Sequence, residues 1–151
     1  MKINIINFNN EHSFSGRKKV YKEPIREEFD NTYLQYVSDL EKIKPLLFSE
    51  EKELAKDIAK GGEIAEKARQ RLIEGNLKYV VSLAKNYANR GVPLMDLIQE
   101  GNMGLYKAAY SKDYDGSCKF INMAYLYIRS RMIQALVEKS NIILCNNTPT
   151  C

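Results

Sequence analysis

The chain has 151 residues, enough for one hydrophobic core, because a domain of this size removes roughly two-thirds of its extended surface from water. With 44% hydrophobic and 28% charged residues it is patterned as a globular chain, not a disordered one, and its charge of +4 permits a phosphate-rich partner without demanding one. No run approaches the ~20 apolar residues of a membrane span, and the opening Met1-Lys2 stretch lacks an apolar signal core, so a cytoplasmic protein with no membrane partner is expected.

Residues 1–28 mix Asn, Ser, Lys, Arg and Glu without a sustained period and read as a flexible arm. The Ile3/Ile5 alternation is too short for a strand, and the Arg17-Lys18-Lys19 cluster is either a solvated patch or a nucleic-acid contact. From Tyr33 the pattern turns helical. A short helix over Tyr33 to Ile43 ends before Pro45, and Ser49 followed by Glu50 and Glu51 predicts an N-cap with favourable negative charge in the first turn. That second helix runs to about Lys60, where Gly61-Gly62 stops it, since paired glycines lose too much backbone entropy inside a helix.

A third helix starts near Glu63, buries Ala68, Leu72 and Ile73, and is expected to bend at Gly75. Leu77, Val80, Val81, Ala84 and Ala88 continue the i, i+3, i+4, i+7 spacing of a buried stripe as far as Asn89, with Gly91 and Pro93 as terminators. The next helix, Leu94 to Tyr110, buries Leu97, Ile98, Gly101, Leu105 and Ala108, its small residues allowing a neighbour to come close. Ser111 to Lys119 reads as a loop, and a last helix, Phe120 to Ser140, turns Ile121, Ala124, Tyr125, Ile128, Met132 and Ala135 inward. With no confident strand, the expected fold is all-α, a compact helical bundle.

Subtracting the buried stripes leaves two notable faces. Asp96, Gln99, Glu100 and Met103 share one side of the Leu94 helix, with Asn102 and Tyr106 beside them, which is a solvated face or an acidic docking surface. On the last helix, Met123, Tyr127, Ser130 and Gln134 lie opposite the core, with Arg129 and Arg131 on the flanks and Lys119 at the start. Aromatic rings between cations suit unpaired bases and their phosphates, with stacking worth about 1–3 kcal/mol per base; packing against the bundle is the plainer alternative. An enzyme is not expected. Cys118, Cys145 and Cys151 form no paired spacing, His12 is the single histidine, and no phosphate loop or metal cluster is present in the sequence. Neither a cofactor nor a metal is expected.

The run from Arg71 through Gly75-Asn76-Leu77-Lys78-Tyr79 to Lys85, then Asn89-Arg90-Gly91, then Asp96-Leu97-Ile98-Gln99-Glu100-Gly101-Asn102-Met103-Gly104-Leu105, resembles the core-binding region of the sigma-70 family. Lys119-Phe120, Ala124 and Ile128-Arg129 continue the resemblance in register, and Tyr33 to Lys60 is similar to the segment that precedes that region. It implies a transcription initiation factor of the sigma core-binding domain type, with an arm over 1–28, a preceding helical segment over 29–60, the core-binding and DNA-opening domain over 61–144, and a tail over 145–151. The partners implied are bacterial core RNA polymerase, through the clamp coiled coil of its largest subunit, and promoter DNA, especially the non-template strand of the −10 element. Asp96, Gln99, Glu100, Asn102 and Tyr106 would contact polymerase, where an acidic and amide surface complements an arginine-rich coiled coil.

DNA contact would fall to Asn76, Tyr79, Lys119, Phe120, Met123, Leu126, Tyr127, Arg129, Ser130, Arg131 and Gln134. Here the chain departs from the family's pattern. Lys112, Cys118 and Met123 stand where housekeeping members usually carry aromatics, Gly116 replaces a usual arginine, and the paired tryptophans that wedge the duplex become Leu126 and Tyr127. Flipping a base out of a duplex costs a few kcal/mol, which such rings help to offset. Either the promoter differs or opening is assisted. The family's −35-reading domain is not found after Leu144, which adds a co-activator or anti-sigma factor to the expected partners. A polymerase-binding competitor, or a truncated copy that opens no promoter, is the alternative reading.

Overall fold

The structure, a computed structural model, describes the backbone of residues 31–146 and the side chains of residues 31–140. The arm expected over 1–28, with Ile3, Ile5, His12 and the Arg17-Lys18-Lys19 cluster, lies outside them, as do the Cys145 side chain and Cys151. Among the described residues five helices follow one another without a strand: α1 (Asn31–Glu41), α2 (Phe48–Lys60), α3 (Gly62–Lys85), α4 (Leu94–Tyr110) and α5 (Phe120–Asn146). The fold is all-α, as expected, and no helix among the described residues is long and apolar enough to cross a membrane.

Ser49 is not the cap of α2. The helix already begins at Phe48, and the first-turn Glu50 reaches back so that its Oε2 accepts the Leu47 N–H at 2.7 Å. A long carboxylate in the first turn thus performs the task expected of a short hydroxyl. The break at Gly61-Gly62 is as expected: both residues have left-handed φ, 74° and 67°, which glycine adopts without a Cβ clash.

Helix α3 runs through Gly75 as one 24-residue helix, and the missing side chain there makes room for Leu46 of the α1–α2 connection. The helix ends at Lys85, earlier than its apolar stripe suggests. The N–H groups of Asn86, Tyr87 and Ala88 bond three residues back, to Leu83, Ala84 and Lys85, which tightens the chain into turns. Asn89 and Gly91, with φ of 63° and 90°, then reverse it toward Pro93.

Helices α3, α4 and α5 enclose the core, and α2 lies along α3. Leu72 and Val80 of α3, Leu97, Ile98 and Leu105 of α4, and Phe120, Ile128 and Met132 of α5 are its largest fully enclosed side chains. Each contributes roughly 1.5–3 kcal/mol by leaving water. At the α4–α5 crossing the backbones come close: a Cβ on Gly104 would lie 2.6 Å from the Tyr127 carbonyl oxygen and 2.7 Å from Ile128 Cα. The two glycines of α4, Gly101 and Gly104, are what allow α5 to lie so near.

Candidate docking and nucleic-acid surfaces

The α4 face forms as its spacing suggests. Asp96, Gln99 and Tyr106 are exposed, and Glu100 and Asn102 are half-buried at its two edges. Asp96, Gln99 and Glu100 line an open groove of about 310 Å³, completed by Val92, Pro93 and, from α5, Ala135, Glu138 and Lys139. Glu100 also pairs with Arg131 of α5 at 2.7 Å. At the other edge Asn102 Nδ2 donates to the Tyr36 hydroxyl of α1 at 3.0 Å, so part of this amide holds α1 in place. Tyr106 stacks on Tyr110, their ring centroids 4.4 Å apart.

The residues expected to meet DNA are dispersed. Phe120 is fully buried in the core, its ring enclosed and away from the surface. Asn76 is buried as well, and one of its Nδ2 hydrogens is taken by the Leu72 carbonyl one turn back at 2.8 Å. Arg131 turns toward α4 and Glu100, away from Arg129; residues two apart on a helix point about 200° apart around its axis. Met123 and Tyr127 are half-buried against the 111–119 loop, where Ser111 Oγ lies 3.8 Å from Met123 Sδ and the Tyr127 hydroxyl donates to Asp113 Oδ2 at 2.9 Å. Lys119, Leu126, Arg129, Ser130 and Gln134 are exposed, with Gln134 Nε2 bonded to Glu138 at 2.8 Å.

What does come together is a run of rings and cations joining the C-terminal half of α3 to α5. Arg129 Nε donates to the Tyr87 hydroxyl at 3.2 Å, and the Arg90 guanidinium sits 5.3 Å from the Tyr87 ring centroid. Tyr125 lies one turn before Arg129 and close to Tyr79, whose hydroxyl is pushed above the usual phenol range by burial first and by Tyr125 second. The Tyr79 phenol therefore stays neutral at physiological pH. Tyr87 and Arg90 were not singled out from the sequence, and Tyr125 was read chiefly as an inward residue. Tyr87 lies eight residues after Tyr79 and beyond the end of α3, so helical spacing gave no signal for it.

The bundle thus carries an acid-lined groove on one side and rings interleaved with arginines on another. Residues 72–141 match the model of sigma-70 region 2. Over 114 residues the chain is 40% identical to RNA polymerase sigma factor SigA of Lactococcus lactis subsp. lactis (strain IL1403), covering 76% of this chain and 30% of that protein. It is likewise 40% identical over 114 residues to RNA polymerase sigma factor SigA of Lactococcus lactis subsp. cremoris, 76% of this chain and 31% of that one. The chain belongs to the sigma-70 family, a family of non-enzymatic transcription initiation factors. It spans about a third of the length of the curated relatives it matches.

Proposed function

We propose that this chain acts in transcription initiation by docking on bacterial core RNA polymerase through the α4 groove and engaging unpaired −10 promoter DNA through the α3–α5 surface. The observation that carries the reading is the separation of two chemically different surfaces on one bundle, Asp96, Gln99 and Glu100 on one side and Tyr79, Tyr125, Arg129 and Tyr87 on another. The carboxylates suit a cationic coiled coil, and the rings and guanidinium suit bases and phosphates. The domain division at residues 29–60 and 61–144 belongs to this reading, with the first segment leaning on the second.

The −10 sequence read is an altered one, or its opening is assisted by a co-activator. Leu126 stands 65% exposed where the family's wedge uses an aromatic ring, and the enclosed Phe120 adds no stacking face. The same two residues favour a second reading, in which the chain occupies polymerase and opens no promoter. A salt-controlled pull-down of core RNA polymerase, followed by footprinting on a random promoter library, separates the two. Binding with a recovered −10-like motif supports the initiation factor. Binding without opened DNA supports the competitor, and no binding overturns both.

A further inference from the structure

The surface proposed to meet DNA rides on α5, and the start of α5 has no acidic residue of its own in the first turn. An uncapped helix start leaves N–H donors without partners and a partial positive charge without compensation. Across the bundle, Glu51 of α2 is only 6% exposed, and its Oε2 accepts the Phe120 N–H at 2.9 Å. A buried carboxylate is tolerated where it is hydrogen-bonded and faces positive charge, and the first turn of α5 offers both.

The neighbouring loop is fastened to the same place. Gly116, at φ 79°, lies so close to α2 that a Cβ on it would come 2.7 Å from Ala55 Cβ. Tyr114 packs its ring edge-on to Phe120 with centroids 5.1 Å apart, and its hydroxyl is pushed up to about 12, by burial first and then by the charge of Glu51. The loop in turn holds Tyr127 through Asp113. Helix α2, at residues 48–60, lies wholly outside the stretch that matches sigma-70 region 2.

We propose that Glu51 is a positioning residue for nucleic-acid engagement: a carboxylate from α2 sets the start of α5 and the 111–119 loop, so the region 2 surface is completed by a residue outside region 2. Glu51 touches no DNA itself; it acts through Phe120 N–H and the register of α5. This inference rests on the DNA-binding reading above, and its test keeps the two apart.

The full chain is prepared as Glu51→Ala, which removes the acceptor, and as Glu51→Gln, which keeps an acceptor oxygen of the same reach. Amide hydrogen exchange is followed by peptide, and affinity for a fluorescent A/T-rich single-stranded oligonucleotide is measured on the complex with core polymerase. In Glu51→Ala, exchange should quicken over residues 112–127 with residues 94–110 unchanged, and oligonucleotide affinity should fall about tenfold, the scale of one lost charge-assisted hydrogen bond. Capture by core polymerase should stay within about twofold, since the α4 groove is untouched. Glu51→Gln should recover most of both losses. Unchanged exchange and affinity in Glu51→Ala would overturn the proposal, and so would equal acceleration across residues 62–110 or an absence of rescue by Gln. If the unmodified chain binds no oligonucleotide, the DNA-binding reading falls, while the exchange pattern still decides whether Glu51 sets the start of α5.

Discussion

Arg131 Nη2 lies 2.7 Å from Glu100 Oε2, an ion pair that crosses from α5 to α4 beside the proposed polymerase groove. With the two side chains 30% and 36% exposed, it is neither a freely solvated pair nor a buried one. The groove therefore holds carboxylates at Asp96, Glu100 and Glu138 partly neutralised by Arg131 and Lys139, and is less acidic than the motif read by itself.

A double-mutant cycle with Glu100→Ala and Arg131→Ala should give a coupling of about 0.5–1 kcal/mol at low salt, shrinking as salt is added. The two single variants should differ in docking. Glu100→Ala removes a carboxylate that a cationic partner needs and weakens capture of core polymerase; Arg131→Ala frees that carboxylate and strengthens it. Weaker capture by Arg131→Ala would assign the arginine itself to the contact.

Phe120 and Arg129 stand nine residues apart on α5 and should behave as opposites. Phe120→Ala empties a fully enclosed core site and should lower stability by about 3–5 kcal/mol. Arg129→Ala, at an exposed position, should leave melting within about 0.5 kcal/mol and reduce the salt dependence of single-stranded DNA binding by about one phosphate contact. Thermal melts and a salt titration decide both. A destabilised Arg129→Ala would mean that its bond to Tyr87 serves the fold.

The elements were legible because their signals are local. Gly61-Gly62 ends one helix by backbone freedom alone, and Leu97, Ile98, Leu105, Ala124, Ile128 and Met132 repeat at the helical period and are all buried. The surfaces were legible only in part, because their decisive contacts are distant in sequence. Nothing in the spacing around Glu51 or Phe120 says that one caps the other, 69 residues on. The neighbours of Arg131 likewise place it on a helix flank without saying that Glu100 waits across the seam. The burial of Phe120 was within reach of the sequence, since it stands four and eight residues before Ala124 and Ile128 on the same helix face.

Tyr114 gives a pH dependence with a definite sign. Its usual value is 10.0, and in the folded chain burial, then Glu51, pushes it up to about 12. A group whose pKa is raised on folding adds stability that is fully present below pH 10 and is lost as pH rises to about 12, because the unfolded chain releases the proton first. Melting temperature should fall across that window, and Tyr114→Phe should flatten the fall. Tyr36, Tyr79 and Tyr110 are also raised, so part of the slope should remain. A slope identical in Tyr114→Phe would place the loss elsewhere.

Gly104 and Gly75 test whether close packing or helix propensity dominates in the bundle. Both are helical, and alanine in a helix gains about 0.5–1 kcal/mol over glycine from backbone entropy. At Gly75 the new Cβ would meet Leu46 Cγ and Cδ1, both at 2.6 Å, and a half-buried leucine on a connecting segment can turn aside. Gly75→Ala should therefore change stability by less than about 1 kcal/mol. At Gly104 the obstacle is the α5 backbone itself, the Tyr127 carbonyl and Ile128 Cα, which cannot move without separating the two helices. Overpacking of that kind costs about 1–3 kcal/mol and outweighs the propensity gain, lowering the melting temperature by several degrees. Because α5 must shift, Gly104→Ala should also loosen the Arg131–Glu100 pair and weaken polymerase capture, whereas Gly75→Ala should not. The reverse order of stabilities would mean that α4 and α5 can slide apart freely and that the crossing does not fix the two surfaces.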